Sequence, residues 1–352
     1  MCFLFVRKTR ERKEVMFMST MKDVAKYAEV SIATVSKYLN GGNVLDKNEE
    51  KIKEAIQVLD YRVNEIARGL KTNQSMTVGV LIPSLKEIFF TSIISYIEDI
   101  LEKKGYSTIV CDYKEDPELE KEKLDFLVQK MVDGLILVPY KDEVEQIKKV
   151  MDEEIPVVLL DRMISGVDCD TIVTDSVNGS YKAVKELLTR GHTRVGIITG
   201  PENIYTSMER LKGYQRVHED YNIEVDKDLI QYGDYEVQGG YQKTKKLLEL
   251  DSPPTAIFVT NYDMTLGTLM AVNEKNIKIP EELSLIGFDN ILQLSQIFKP
   301  SLSIVSQPME KIGTTTAGVL LRRLRGDKSN YPEVTRLKTR VKIRDSVSNL
   351  KS

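Results

Sequence analysis

The stretch from Lys22 to Leu39, K-D-V-A-K-Y-A-E-V-S-I-A-T-V-S-K-Y-L, constrains the fold of this chain more than any other segment. Its spacing predicts two short amphipathic helices joined by a tight turn. Val24, Ala25 and Ala28 line one face of the first helix, Val30 sits in the turn, and Val35 and Leu39 line the facing side of the second. Ser31 suits the N-cap of the second helix, because its hydroxyl can accept an otherwise orphan backbone N–H. Small residues at Ala25 and Ala28 let two helices cross closely at a steep angle, as a helix-turn-helix requires. The second helix would then present Ser31, Ile32, Ala33, Thr34, Ser36 and Lys37, a short-armed and nearly neutral face that suits the floor of a DNA major groove. An ordinary helical hairpin in an unrelated domain is the alternative that these residues alone leave open.

The next segments extend the pattern. Asp46 with Glu49 predicts a capping box, and Ile52, Ala55, Ile56 and Leu59 line one side of a third helix. From Tyr61 to Thr72 the chain is short and weakly helical, with Val63, Ile66, Ala67 and Leu70 on one side. A lone helix of that length is marginal in water, so it is expected to order only against a partner. Arg68 and Lys71 flank the apolar side, which fits insertion into a minor groove with Leu70 as a wedge. A plain linker with a hydrophobic bias is the competing reading.

With these motifs in view, residues 22–72 resemble the headpiece and hinge of the lactose/galactose repressor (LacI/GalR) family. The resemblance runs through D-V-A-K-Y-A, V-S-x-x-T-V-S, L-N, L-D-Y and N-x-x-A-R-x-L into the strand Thr77 to Pro83, and continues through the rest of the chain. It implies DNA contacts from Ser31, Ile32, Ala33, Thr34, Ser36 and Lys37, and hinge contacts from Asn64, Ala67, Arg68 and Leu70. Ile32 and Ala33 stand where the family reads bases; both are apolar, so thymine methyl groups are their expected targets, and Lys37 is assigned guanine or a phosphate. Some positions depart from the family. Glu29 replaces the usual glycine, Lys37 an Arg or His, Val63 a hinge proline, and Leu45 and Asn48 small hydroxyl residues that touch phosphates. These bear on operator sequence and affinity rather than on the fold.

At 352 residues the chain has room for a small headpiece and a two-lobed body. It is 41% hydrophobic and 29% charged, and no apolar run approaches transmembrane length, so disorder and membrane insertion are both disfavoured. The net charge of -3 gives no bulk attraction to nucleic acid, and the headpiece must place its basic residues well. Cys2, Cys111 and Cys169 show neither paired nor metal-like spacing, consistent with a reducing cytoplasm. Residues 1–17 lack the order of a signal peptide. Codons GAA-AGG-AAG-GAG-GTN for Glu11 to Val15 would contain a ribosome-binding sequence just ahead of Met18. Met18 is therefore the expected start, with a basic arm as the alternative; N-terminal sequencing that finds a peptide beginning before Met16 would exclude it.

From Met76 onward short apolar runs alternate with helical stretches, the pattern of parallel sheets covered on both faces. Val78–Ile82, Ser107–Cys111, Gly134–Val138 and Val157–Leu160 form one predicted series of strands. Thr171–Thr174, Val195–Thr199, Leu229–Tyr232, Ala256–Thr260 and Leu283–Gly287 form a second. The expected division is an extension at 1–17, a headpiece at 18–62, a hinge helix and linker at 63–75, and a body at 76–352. By resemblance the body is a doubly wound, periplasmic-binding-protein-like α/β pair of lobes, one about 76–161 with 290–306, the other about 162–289 with 307–345. The interlobe crossings are expected near Asp161, Asp289 and Ser306.

Ligands of such sheets bind outside the carboxyl ends of the strands. Asp161-Arg162, Asn261 and Asp289 each follow a predicted strand, and convergent carboxylates and amides can hold a polyol. The resemblance assigns effector contacts to Asp161, Arg210, Asn261 and Asp289, ring stacking to Phe89, Phe90 and Tyr235, and adds Arg162 and Thr206. Loop capping by the two aspartates, and a core role for the two phenylalanines, compete with these roles. No catalytic or metal-binding motif accompanies the two histidines, His192 and His218, and no cofactor is expected. The chain therefore reads as a cytoplasmic, homodimeric repressor of carbohydrate genes. It would bind a pseudo-palindromic double-stranded operator and be controlled by a sugar or sugar phosphate. A nucleobase or a phosphoprotein co-regulator stays open, a solute-binding or sugar-metabolising α/β protein is the alternative, and a tetramer is disfavoured by the lack of a C-terminal heptad repeat.

Overall fold

The computed structural model describes residues 19–39, 41–61, 74–140, 144–289 and 298–351. The chain divides after Ser75 into two units. In the first, helices α1 (Met21–Tyr27), α2 (Ile32–Leu39) and α3 (Asp46–Val58) close a small core of Val24, Ala25, Ala28, Val35, Ile52 and Ala55. Ser31 caps α2 as expected, its Oγ accepting the Thr34 N–H at 3.1 Å.

Two caps differ from expectation. Thr20 and Asp23 form a capping box on α1 that the spacing did not single out. At α3 no such box forms: Leu45 is the N-cap and makes no side-chain cap bond, while Asp46 is already inside the first turn. Asp46 and Glu49 there still complement the positive end of the helix dipole.

α1 ends in a Schellman motif, with Val30 N–H donating to the Ala25 carbonyl at 3.0 Å and Glu29 N–H to that of Lys26 at 3.4 Å. The motif needs a left-handed residue between them, and Glu29 supplies it with φ of 54°. The family's glycine at this position follows from that geometry.

The second unit contains two six-stranded sheets. β1 (Thr77–Ile82), β2 (Ser107–Asp112), β3 (Gly134–Leu137), β4 (Val157–Leu160), β5 (Asp170–Thr174) and β11 (Val334–Leu337) form the first, in the order β11-β5-β4-β3-β1-β2, all parallel. β6 (Val195–Thr199), β7 (Ile230–Tyr232), β8 (Ala256–Val259), β9 (Ser284–Phe288), β10 (Ser303–Ser306) and β12 (Arg340–Lys342) form the second, in the order β12-β10-β9-β8-β6-β7, with only β12 antiparallel. The interior strands β3, β4, β6 and β8 are buried throughout, as sheets covered on both faces require.

The lobe boundaries need correction. β5 pairs with β4, so the chain returns to the first sheet after Asp161 and first crosses between Thr174 and Asp175. β10 pairs with β9, so Asp289 is no crossing either, and residues 303–306 belong to the second lobe. The second crossing follows Ser306, where expected, but runs the other way. It delivers α11 (Met309–Leu324), which buries Ile312, Ala317 and Leu320 in the first lobe's core. The third passes through Lys338 and Thr339, between β11 and β12.

Candidate functional site

On α2, Ile32 is 46% exposed, an apolar side chain that the headpiece core leaves outside. Ala33 and Lys37 are exposed beside it, and Thr34 and Ser36 are half-buried. The hydroxyls of Ser31 and Thr34 lie 2.8 Å apart and are spent partly on one another. The apolar pair and Lys37 are thus the freest members of the surface. The hinge residues Asn64, Ala67, Arg68 and Leu70 lie outside the described residues.

In the second unit a single cleft collects all nine residues assigned to the effector: Phe89, Phe90, Asp161, Arg162, Thr206, Arg210, Tyr235, Asn261 and Asp289. Glu87, Tyr262 and Asp263 complete the lining. Its empty space is about 420 Å³, open mouth included. The first lobe contributes Glu87, just ahead of α4 (Ile88–Glu102), the two phenylalanines in the first turn of α4, and Asp161-Arg162 after β4. The second contributes Thr206 and Arg210 from α8 (Tyr205–Asp220), Tyr235 ahead of α9 (Val237–Leu248), Asn261 with Tyr262 and Asp263 at the start of α10 (Tyr262–Glu274), and Asp289 after β9.

Three of these residues, Asp161, Tyr235 and Asp289, hold left-handed backbone with φ of 64°, 67° and 67°. Such conformations cost energy in non-glycine residues and concentrate where a site demands them. Among the described residues no N–H is capped by Asp161, and the residues that Asp289 would cap lie outside them. Asp161 accepts no side-chain hydrogen bond from the described residues, and Asp289 accepts one, from Gln307 Nε2 at 2.8 Å. Asn261 does cap: its Oδ1 accepts the Met264 N–H and its Nδ2 donates to the Tyr235 carbonyl, both at 2.9 Å. Phe89 and Phe90 meet edge to face, 5.2 Å between centroids, and belong to both the first lobe's core and the cleft wall.

Most neutral polar groups of the cleft are already used. The Tyr235 hydroxyl lies 2.9 Å from Thr206 Oγ1 and 2.6 Å from Ser207 Oγ. Arg162 donates to Glu115, the Pro139 carbonyl and Tyr113, which fixes the loop after β2. Arg210 donates to the Thr260 carbonyl at 2.6 Å, and its buried Nε has no partner in the described residues.

The carboxylates keep their acceptors. Burial raises the Asp161 carboxyl against the pull of Arg210 and Arg162, and burial with Glu236 nearby raises Asp263. Burial pushes Asp289 up to about 6 and Glu87 up to about 8, the guanidiniums of Arg210 and Arg162 respectively opposing. Four acids thus face two guanidiniums. Glu87 and Asp263 were legible only as acidic residues near the ends of strands β1 and β8.

The two histidines are structural. His192 Nδ1 lies 2.9 Å from Thr255 Oγ1 and His218 Nδ1 lies 2.7 Å from the Tyr214 carbonyl, each away from the cleft lining. Among the described residues no cluster suits a metal ion, and no helix is long and apolar enough to cross a membrane.

A helix-turn-helix headpiece in one chain with a two-lobed, cleft-bearing α/β body defines a ligand-responsive DNA-binding regulator. The comparisons agree: the lacI family of bacterial regulatory proteins matches residues 20–64, and a periplasmic binding protein-like domain matches residues 184–347. The HTH-type transcriptional repressor PurR of Aliivibrio fischeri is 35% identical over 94% of this chain and 99% of its own. PurR of Vibrio cholerae is 33% identical over 95% and 99%. The lac repressor dimer bound to operator and the anti-inducer ONPF superimposes with a TM-score of 0.84 at 26% identity, covering 94% of this chain and 99% of that one. A LacI family regulator from Enterococcus faecium with bound ribose gives 0.70 at 32%, covering 78% and 99%. The chain belongs to the lacI family of bacterial transcriptional regulators, a family of DNA-binding repressors with an effector-binding body and not of enzymes.

Proposed function

We propose that the chain is a homodimeric repressor acting inside the cell, whose effector is a small, uncharged molecule rich in hydrogen-bond donors, a sugar being the class that fits best. One observation carries this reading: the unspent polar capacity of the cleft is mostly carboxylate acceptor. Hydroxyl groups can donate to Asp161, Asp289 and Asp263, Glu87 adds a carboxyl kept neutral by burial, and the rings of Phe89 and Phe90 offer an apolar wall. A phosphate would meet three carboxylates and the buried, neutral carboxyl of Glu87 against two guanidiniums that each already donate to a backbone carbonyl, so the unphosphorylated sugar is preferred over the sugar phosphate. The ribose seen in the Enterococcus relative supports the class. A purine base is the second reading, favoured by the aromatic wall and by the PurR relatives. On DNA, two recognition helices of a dimer would read a pseudo-palindromic site, as the operator-bound lac repressor dimer suggests by likeness.

Binding of an effector to the folded body raises its melting temperature by mass action. A thermal-shift panel of D-ribose, D-glucose, D-ribose 5-phosphate, hypoxanthine and guanine tests the reading. Stabilisation by an unphosphorylated sugar supports it. Stabilisation only by the phosphate overturns the charge argument, and stabilisation only by a base replaces the sugar with the second reading.

A further inference from the structure

We propose that Gln307 is a positioning residue that links the effector cleft to the interlobe hinge, through hydrogen bonds to Asp289 on one side and Thr174 on the other. The proposal rests on the reading of the body as an effector-responsive repressor. Gln307 lies on the second crossing, outside the cleft lining, and is buried. Its Nε2 donates to Asp289 Oδ1 at 2.8 Å, and its Oε1 accepts from Thr174 Oγ1 at 2.6 Å.

Thr174 ends β5, where the first crossing begins. The next residue, Asp175, donates its N–H to the Leu337 carbonyl at 2.9 Å and accepts from Thr339 Oγ1 at 3.4 Å, which ties in the third crossing. One side-chain amide therefore stands between a cleft carboxylate and the three strands that join the lobes.

The relay has a single direction. An ionised carboxylate only accepts, so the amide must turn its nitrogen to Asp289. The amide oxygen then faces Thr174, whose hydroxyl must donate. Asp289 keeps its second oxygen for the cleft, and its backbone N–H is held by the Val305 carbonyl at 2.8 Å. A donor group of an effector that pulls on this carboxylate reaches the first crossing through two short bonds. Coupling of this kind changes the balance between lobe orientations without any contact between effector and hinge.

Thr174→Val tests the relay, because valine keeps the shape and removes the hydroxyl, and Thr174 does not line the cleft. The measurements are made on the full chain. The probe is whichever of D-ribose, D-glucose and hypoxanthine stabilises the wild type, and the DNA is an operator selected from random duplexes. Binding of the probe is expected to stay within about threefold of wild type, while the probe-induced change in operator affinity falls about tenfold. Thr174→Ser, which returns a hydroxyl, is expected to restore the response. Gln307→Asn, whose shorter amide cannot span both partners, is the second variant and is expected to uncouple likewise.

Wild-type coupling in Thr174→Val and Gln307→Asn overturns the relay and leaves the functional reading intact. So does a loss of probe binding equal to the loss of coupling, or a failure of Thr174→Ser to rescue; each marks a merely structural contact. A wild-type chain whose operator affinity responds to no probe overturns the functional reading, and the relay with it.

Discussion

The guanidinium carbon of Arg210 stands 4.1 Å from the centroid of the Phe288 ring, and Phe288 is the residue immediately before Asp289. The last residue of β9 thus steadies the cation while the next residue presents the acid. A planar guanidinium can stack on a ring, donate sideways to the Thr260 carbonyl and still offer N–H groups to a ligand.

Lysine cannot reproduce that arrangement. Arg210→Lys is expected to weaken effector binding by roughly 10- to 100-fold, on the order of 1.4–3 kcal/mol, with operator affinity in the absence of effector nearly unchanged. Titration calorimetry with the stabilising compound, beside fluorescence anisotropy on operator DNA, reads the two effects separately. Equal losses in both would mean that Arg210 only supports the fold.

Glu87 makes stability depend on pH. Its carboxyl titrates near 4.5 in the unfolded chain and near 8 in the fold, because burial penalises the charged form. The fold therefore retains a proton that the unfolded chain has released, and the body loses stability as pH climbs from about 4.5 to about 8. Glu87→Gln removes the ionisation. It is expected to raise the melting temperature clearly at pH 8 and hardly at pH 5. A uniform gain at both values would show that ionisation is not the cause. Asp289, near 6, has the same sign over a narrower window.

Glu29 offers a test in the headpiece. Its left-handed backbone strains any side chain, and its exposed ion pair with Lys51, 3.0 Å, offsets little of that strain. Glu29→Gly is expected to slow amide exchange across residues 24–35, whereas Glu29→Ala speeds it by keeping the strain and losing the pair. Slower exchange in both variants would contradict the strain argument.

Gly213 belongs to the same R-L-K-G-Y stretch as Arg210, nearly one turn further along the helix, and packs against a neighbouring helix rather than lining the cleft. A Cβ there would collide with the Val177 carbonyl of α7 (Ser176–Thr189), where α7 and α8 press together. Gly213→Ala is expected to cost about 2–4 kcal/mol of stability, measured by urea unfolding, because backbone cannot yield as a side chain can. A cost below about 0.5 kcal/mol would show that the helices can separate freely.

Strands β1 to β9 were legible as short apolar runs, and part of the cleft because Asp161, Asn261 and Asp289 directly follow such runs; β10 to β12 were not read, and Arg210, Phe89, Phe90 and Tyr235 were assigned by resemblance. Which sheet a strand joins was not legible. D-T-I-V-T at β5 and S-I-V-S at β10 carry no mark of their partner, and only pairing with β4 and β9 decides their lobes. The Gly239-Gly240 pair of α9 has poor helix propensity, yet packing demands it, since a Cβ at Gly240 would strike the backbone of Met264 on α10. The hidden capping box at Thr20 and the absent one at Asp46 differ by a single residue in where the helix begins, a distinction that spacing alone cannot draw.

The positive φ angles at Asp161, Tyr235 and Asp289 carry a warning for anyone who would turn such a chain into a biosensor. Selection for heat resistance rewards relief of backbone strain, and glycine or asparagine at these positions would supply it. Each such gain would delete an acceptor or a ring from the wall of the cleft. Variants improved for shelf life alone would drift toward robust proteins that no longer hear their signal, so screening must score the dose response together with thermal survival.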